Sequence, residues 1–114
     1  MHELALTEGI LSIVSSEQKK SAFARVLEID LCIGEYSGVI PSCIEEFFPL
    51  VAKETAAEGA RLVMKTVKAE FECADCGFHG TPEKHAACCP VCGSTAIRMT
   101  AGREFYVENL IVEY

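Results

Sequence analysis

Along the first twenty residues, apolar side chains recur at steps of three and four and are separated by polar ones. The repeat runs from residue 4 to residue 20, and its stripe consists of Leu6, Ile10, Ile13, Val14 and Glu17. This spacing places the stripe on one face of an α-helix. We therefore predict an amphipathic helix over 4–20 that packs its apolar face against a core.

From Phe23 the repeat changes to a step of two, which is the period of a β-strand. Glu28 and Asp30 alternate with an apolar series, which consists of Phe23, Leu27, Ile29, Leu31 and Ile33. This alternation predicts a strand with one buried face and one polar face.

A second helix is expected shortly after this strand. Ser42-Cys43-Ile44-Glu45 has the form of a capping box, in which Ser42 accepts from a first-turn amide and Glu45 reaches back. Pro49 lies inside the apolar pattern and removes one backbone donor, so we expect a kink or a short helix. Cys32 and Cys43 are interpreted as small core residues.

Two further strands are predicted, the first over 62–67, where polarity alternates before a cysteine-rich segment. The last strand is expected over 103–114, but its apolar residues change phase between Val107 and Leu110. One extra residue near Glu108-Asn109 would restore the phase, which predicts a β-bulge there. The expected fold class is α+β, with two helices packed on a small three-stranded sheet.

Two matching cysteine motifs lie between these last two strands. Cys73-Ala-Asp-Cys76-Gly77 and Cys89-Pro-Val-Cys92-Gly93 each have two residues between the cysteines and a glycine after the second. The segment between them is long enough to fold one motif back onto the other. We predict a closed, structural zinc site with Cys73, Cys76, Cys89 and Cys92 as ligands, in a zinc-ribbon-like loop inserted before the last strand.

Other interpretations of the cysteines remain open. Iron in the same cage, as in a rubredoxin-like electron carrier, is one alternative, because tetrahedral sulfur ligation suits both metals. Pairs of buried or redox-active thiols are another. Cys88 is an extra thiol that could compete for the metal. His79 and His85 are interpreted as surface residues, although with Lys84 and Arg98 they could offset the negative charge of four thiolates.

Charge and cysteine content narrow the possible functions. Ten Lys and Arg against seventeen Asp and Glu give a net charge of −7, whereas nucleic-acid binding needs a basic surface. An odd number of cysteines, seven, favours a reducing compartment. No apolar run approaches the roughly 20 residues that span a bilayer. We expect a soluble, cytoplasmic protein that binds neither nucleic acid nor membranes, and no pattern supports an enzyme.

The chain start is a second candidate metal site. A free α-amine, the following backbone amide and the imidazole of His2 can chelate one ion, provided that the chain begins at Met1. This nitrogen-rich set suits Ni(II) or Cu(II). The amine must first lose its proton, so metal uptake should weaken as pH falls. On these residues alone, an exposed histidine without a metal role is the simpler interpretation.

Taken together, the motifs resemble the hydrogenase nickel-incorporation proteins of the HypA/HybF family. The resemblance rests on Met1-His2-Glu3-Leu4, Leu27-Glu28-Ile29, Ser37-Gly38-Val39, Ala57-Glu58-Gly59-Ala60-Arg61-Leu62, both cysteine motifs and Gly102-Arg103-Glu104-Phe105. Many zinc proteins share the cysteine motifs, whereas their combination with Met1-His2-Glu3 is specific. Pro49 and Cys88 depart from the family pattern without removing an expected ligand.

The resemblance implies a nickel metallochaperone rather than an enzyme. It implies that His2 binds Ni(II), with backbone groups of Met1 and Glu3 as neighbours, while the four cysteines bind structural zinc. It also implies delivery of nickel, with the nickel-handling GTPase HypB, to the large subunit of NiFe hydrogenase, and in some bacteria a role in urease maturation.

The predicted insertion of the zinc loop before the last strand divides the chain into two units. Residues 1–70 with 102–114 would form an α+β nickel-binding domain, and residues 71–101 a zinc-binding domain. The alternative function is a zinc-ribbon protein-interaction module that transfers no metal.

Overall fold

The computed structural model describes residues 3–81 and 88–114. Its elements in chain order are α1 (Glu3–Ser21), β1 (Arg25–Gly34), α2 (Pro41–Val51), β2 (Arg61–Val67), β3 (Glu70–Cys73), β4 (His79–Gly80), β5 (Ile97–Ala101) and β6 (Phe105–Glu113). The predicted α+β class is confirmed, because both helices accompany a three-stranded sheet and the cysteine segment precedes the last strand. Neither described helix combines the length and hydropathy that a membrane crossing requires.

The first sheet has the strand order β2-β1-β6. The central strand β1 is parallel to β2, to which it connects through α2, and antiparallel to β6. Side chains from both helices and from one face of the sheet form a single core. Its large buried residues are Ile10, Val14, Phe23, Val26, Ile29, Leu31, Ile33, Ile44 and Phe48.

Two irregularities set the register between β1 and β6. The first is a β-bulge at Leu27, because Val26 pairs with Val112 while Glu28 pairs with the next residue along, Ile111. Leu27 is the extra residue and faces outward, with 40% of its surface exposed, and Val26 is buried instead. The prediction that Leu27 shares the buried face was therefore wrong, since strict alternation cannot anticipate a bulge.

The second irregularity confirms the predicted bulge in the last strand. Asp30 pairs with Asn109, and the next residue of β1, Leu31, pairs with Val107. Glu108 is left as the extra residue of β6, which restores the inward direction of Val107 and Leu110 toward the helices.

Helix α1 is present as predicted, but its buried stripe is rotated from the expected one. Ile13 is 42% exposed, whereas Thr7 is fully buried. The Thr7 hydroxyl donates a 2.6 Å hydrogen bond to the carbonyl oxygen of Glu3. A core tolerates a buried hydroxyl that forms a hydrogen bond. Because threonine is polar, a search for apolar side chains at helical spacing does not find such a buried position.

Helix α2 is short, as Pro49 predicted, but it begins differently. Its N-cap is Ile40 and its first residue is Pro41, whose fixed φ and missing amide suit that position. No side chain of the helix caps it, so the predicted capping box over Ser42 and Glu45 was wrong. The proline moved the helix start two residues earlier than the serine suggested.

The cysteine segment contributes a second sheet, with the strand order β4-β3-β5. The sequence predicted one strand leading to Cys73, but β2 ends at Val67 and β3 begins at Glu70 in the other sheet. The chain measures 54 × 27 × 17 Å, with a radius of gyration of 17.8 Å. A compact domain of this length has a radius near 13 Å. The protein is therefore elongated.

The two sheets meet at the end of β1. The amide of Gly34 donates to the Glu104 carbonyl at 2.6 Å, and the amide of Tyr36 donates to the Gly102 carbonyl at 2.7 Å. A Cβ atom on Gly34 would lie 2.2 Å from the Gly102 carbonyl oxygen. The backbone contact at this junction therefore requires glycine at position 34.

Candidate metal centre

The first cysteine motif forms a tight turn at the end of β3. The amide of Cys73 donates to the carbonyl of Phe78 at 2.8 Å, and the amide of Gly77 donates back to the carbonyl of Cys73 at 3.1 Å. Gly77 has a φ of 78°, which only glycine adopts at little cost. The turn directs the thiols of Cys73 and Cys76 to the same side.

The second motif repeats this turn. The amide of Cys89 donates to the carbonyl of Ser94 at 2.7 Å, and the amide of Gly93 donates to the carbonyl of Cys89 at 2.9 Å. Gly93 has a φ of 75°. Two short sequences of the same form thus fold in the same way, and each offers a pair of thiols.

The two turns face each other and bring four sulfur atoms together. The Sγ atoms of Cys73, Cys76, Cys89 and Cys92 all lie within 4.8 Å of one another. The separation is 3.7 Å between Cys73 and Cys92, and 3.6 Å between Cys76 and Cys89. Four sulfurs at about 2.3 Å from one zinc ion form a tetrahedron with edges of about 3.8 Å. The cluster therefore has the dimensions of a four-thiolate metal site.

Hydrogen bonds outside the sulfur cluster hold the two turns together. The Ser94 hydroxyl donates to the Asp75 carboxylate, so a residue after the second motif contacts a residue inside the first. The Ser94 hydroxyl also accepts from the amide of Ala96 at 3.0 Å. Within the second turn, the amide of Val91 points at the Cys89 sulfur at 3.4 Å. Sequence reasoning missed the Asp75–Ser94 contact, because spacing alone does not show which residues of two turns meet.

The thiols differ in their acidity because they share one small space. Burial raises the pKa of Cys89, but the backbone amides of Cys92 and Val91 and the Cys76 thiol outweigh it and bring the pKa down to about 7. The Phe78 backbone lowers the pKa of Cys76, but desolvation and the three other thiols have the larger, opposite effect. The pKa of Cys76 is therefore raised to about 12. One thiolate thus disfavours the next, and a bound cation would remove that conflict.

The donor set defines what the site can do. Four sulfur ligands fill a tetrahedral coordination shell, so no position remains for water or substrate. Cys73 and Cys89 are buried, whereas Cys76 and Cys92 are exposed. In the part of the chain that the structure describes, no carboxylate or imidazole joins this group. These residues fit a structural zinc ion.

Neighbouring residues that could have joined the centre are occupied elsewhere or lie apart. His79 lies 3.8 Å from Glu70 through its Nε2 atom, and Arg98 lies 3.8 Å from Glu72. Cys88 is exposed and is not part of the four-sulfur group. His85 and Lys84 lie outside the described residues.

The other two cysteines belong to the first sheet and to α2, away from the four-sulfur group. Cys32 is 4% exposed, as the core interpretation expects, although it alternates with Leu31 and Ile33 and so lies on the sheet face away from the helices. Cys43 in α2 is partly exposed.

At the start of the chain, Met1 and His2 lie outside the described residues, and Glu3 is described. Glu3 is only 5% exposed, and its Oε2 atom accepts a 3.2 Å hydrogen bond from the amide of Ile40. The family resemblance implied backbone groups of Glu3 as neighbours of a nickel ion, and nothing in the sequence indicated that the Glu3 side chain contacts α2.

Fold and cysteine cluster together define a small metal-binding protein, in which a helix-covered sheet is joined to a four-thiolate module. A family model described as hydrogenase/urease nickel incorporation, metallochaperone, hypA matches residues 1–112. The chain therefore belongs to the HypA family, whose members are metallochaperones or maturation factors and not enzymes. The predicted family resemblance is confirmed.

Individual relatives agree with this assignment. The chain is 35% identical to the hydrogenase maturation factor HypA of Caldanaerobacter subterraneus over 114 residues, which cover 99% of this chain and 100% of that protein. It is 37% identical to HypA of Geobacter metallireducens over 113 residues, covering 99% and 100%. A relative from Methanocaldococcus jannaschii is 35% identical over 122 residues, covering 100% and 98%.

Solved structures support the fold. The solution structure of the nickel metallochaperone HypA from Helicobacter pylori matches with a TM-score of 0.72 and 23% identity, covering 99% of this chain and 98% of that one. A second HypA solution structure matches with a TM-score of 0.77 and 24% identity, covering 98% and 96%. Both matches extend over both sheets.

Proposed function

We propose that this protein carries Ni(II) for the maturation of NiFe hydrogenase and binds it at the amino terminus. His2 supplies the imidazole, and the backbone groups of Met1 and Glu3 are its neighbours in the chelate. The observation that carries the proposal is the match of residues 1–112 to a nickel-incorporation family, in a chain that opens with Met1-His2-Glu3. Nitrogen-rich ligand sets suit Ni(II), whereas the cysteine cluster suits a different ion.

The four-cysteine cluster holds Zn(II) and has a structural role. Support comes from the sulfur separations, from the matching turns and from the absence of an open coordination position. On this basis the chain divides into a nickel-binding domain, residues 1–70 with 102–114, and a zinc-binding domain, residues 71–101. Metal binding and folding of the second domain are then coupled.

Delivery requires partners. The relatives are named hydrogenase maturation factors, and the family description includes urease. The proposed partners are a HypB-type nickel GTPase, the large subunit of NiFe hydrogenase and, where urease is present, urease maturation proteins. The cytoplasm is the proposed compartment, because all seven cysteines are unpaired in the structure and a thiolate cluster needs reduced sulfur.

Nickel titration of untagged protein tests the amino-terminal site. Intact mass first establishes that Met1 is the first residue, and calorimetry then compares the native chain with a chain that has three residues added before Met1. We expect the extended chain to keep one zinc ion and to bind nickel at least tenfold more weakly, because the free amine is displaced. Equal nickel affinity in the two chains would refute the proposed chelate.

Two histidine variants complete the test. His2→Ala should lose nickel binding, whereas His79→Ala, which removes an exposed histidine far along the chain, should not. A zinc-ribbon interaction module without metal transfer predicts no difference between the native chain and His2→Ala.

A further inference from the structure

The side chain of Glu3 is buried at the start of α1, where a carboxylate is costly unless it is hydrogen-bonded. It is 5% exposed, and glutamate is rarely buried to this extent without a partner. Its Oε2 atom accepts from the amide of Ile40 at 3.2 Å, across a sequence separation of 37 residues. The first residue of α1 therefore contacts the N-cap residue of α2.

This contact replaces a cap that α2 lacks. In a capping box, a glutamate of the helix accepts from the N-cap backbone amide. The N-cap here is Ile40, no side chain of α2 caps the helix, and Pro41 has no amide to offer. Glu3 supplies the missing acceptor from a different helix. Its negative charge also lies at the positive ends of both helix dipoles.

The backbone of Glu3 is held as well as its side chain. The Thr7 hydroxyl donates to the Glu3 carbonyl at 2.6 Å, and Thr7 is fully buried. Residue 3 is thus fixed on two sides, through its carbonyl within α1 and through its carboxylate to α2. The amine and the imidazole of the proposed chelate belong to the two residues immediately before it.

We propose that the Glu3 side chain is a positioning group, which holds the first turn of α1, directly after the proposed nickel ligands, against the start of α2. This inference rests on the proposed function, because it concerns the same nickel site. The Oε2 atom that accepts from the Ile40 amide is the atom through which the side chain acts on α2. Pre-organisation of the chelate then comes from the helix pair, since a ligand set that is already in place loses less entropy on binding.

Two substitutions separate positioning from ligation. Glu3→Gln keeps a side-chain oxygen that can accept from the Ile40 amide but removes the charge, whereas Glu3→Ala removes the acceptor. Glu8→Gln is the matched control, because Glu8 is an exposed acid one and a half turns along the same helix. Each untagged, zinc-loaded protein is titrated with Ni(II) chloride, and the absorption spectrum is recorded at saturation.

We expect Glu3→Gln and Glu8→Gln to bind Ni(II) within about threefold of the native chain, and Glu3→Ala to bind at least tenfold more weakly. The spectrum at saturation should be the same in all four proteins, because the ligands are unchanged. Amide hydrogen exchange at Ile40 should be faster in Glu3→Ala than in Glu3→Gln. The exchange measurement reports the hydrogen bond between the Ile40 amide and the Glu3 side chain without using nickel.

Three results would overturn the inference. Glu3→Gln could lose as much affinity as Glu3→Ala and change the spectrum, which would make the carboxylate a ligand. Glu3→Ala could bind as the native chain does, which would remove any positioning role. Amide exchange at Ile40 could be equal in Glu3→Ala and Glu3→Gln, which would show that the side chain of residue 3 does not protect the Ile40 amide. Failure of the proposed function has a different signature, namely nickel binding that His2→Ala leaves unchanged.

Discussion

Substitution of Gly34 by alanine tests the junction between the two sheets. The added Cβ would lie 2.2 Å from the carbonyl oxygen of Gly102 and 2.6 Å from the amide nitrogen of Glu104. Carbon and oxygen atoms that are not bonded need about 3.3 Å. Both obstacles are backbone atoms, so the two segments must separate by about 1 Å.

The cost follows from what that separation breaks. Overpacking in a close-packed region costs about 1–3 kcal/mol. The hydrogen bonds from Gly34 to Glu104 and from Tyr36 to Gly102 lie on the same contact, and each contributes about 0.5–1.5 kcal/mol. Gly34→Ala should therefore lower the free energy of unfolding by about 2–6 kcal/mol, a large part of the roughly 5–15 kcal/mol of a typical domain.

The assay is thermal unfolding of the zinc-loaded protein, followed by circular dichroism. Gly34→Ala should lower Tm by at least about 8 °C. Gly9→Ala is the matched control, because Gly9 lies in α1 and the added Cβ would have no atom within 4 Å apart from its chain neighbours and the nearby backbone of its own helix. The control should gain about 0.5–1 kcal/mol through helix propensity. A Tm for Gly34→Ala within about 2 °C of the native value would refute the reasoning.

The remaining predictions concern the zinc module and the core. Cys76→Ser should lose zinc, measured by metal analysis, and unfold the second sheet, while retention of the full helix signal shows that the first sheet stays folded; stoichiometric zinc would contradict this. The pKa is raised at both Cys76 and Cys92, so zinc binding near pH 7 should release at least two protons. Affinity should then fall about 100-fold or more from pH 7 to pH 6, measured by competition with a chelator, and a pH-independent affinity would refute this. Ile29→Ala should cost about 2–5 kcal/mol in urea unfolding, because Ile29 is fully buried, whereas Ile111→Ala, 42% exposed, should cost less than about 1 kcal/mol.

Local patterns were the part of the fold that could be predicted. The presence of a helix over α1, the presence of a strand at β1 and the phase change near Glu108 each depend on residues a few positions apart. The same holds for the two cysteine turns, where a fixed spacing and a glycine define the geometry. These predictions were correct because the interactions that form the elements are themselves local.

Predictions failed where a distant segment decided the outcome. Leu27 faces outward because β6 pairs with β1 in a shifted register. The start of α2 is capped by Glu3 rather than by Glu45, since α1 packs beside it. In each case the local signal was present, and a contact from elsewhere in the chain outweighed it.

The sequence by itself determined which residues could hold metal, since the type and spacing of thiol and imidazole ligands are properties of the chain. Only the tertiary structure decided how those residues are supported. Asp75 meets Ser94 and Glu3 meets Ile40 because folding brings together segments that are 19 and 37 residues apart. Contacts at such separations depend on the register and packing of whole elements, and no short stretch of sequence encodes them.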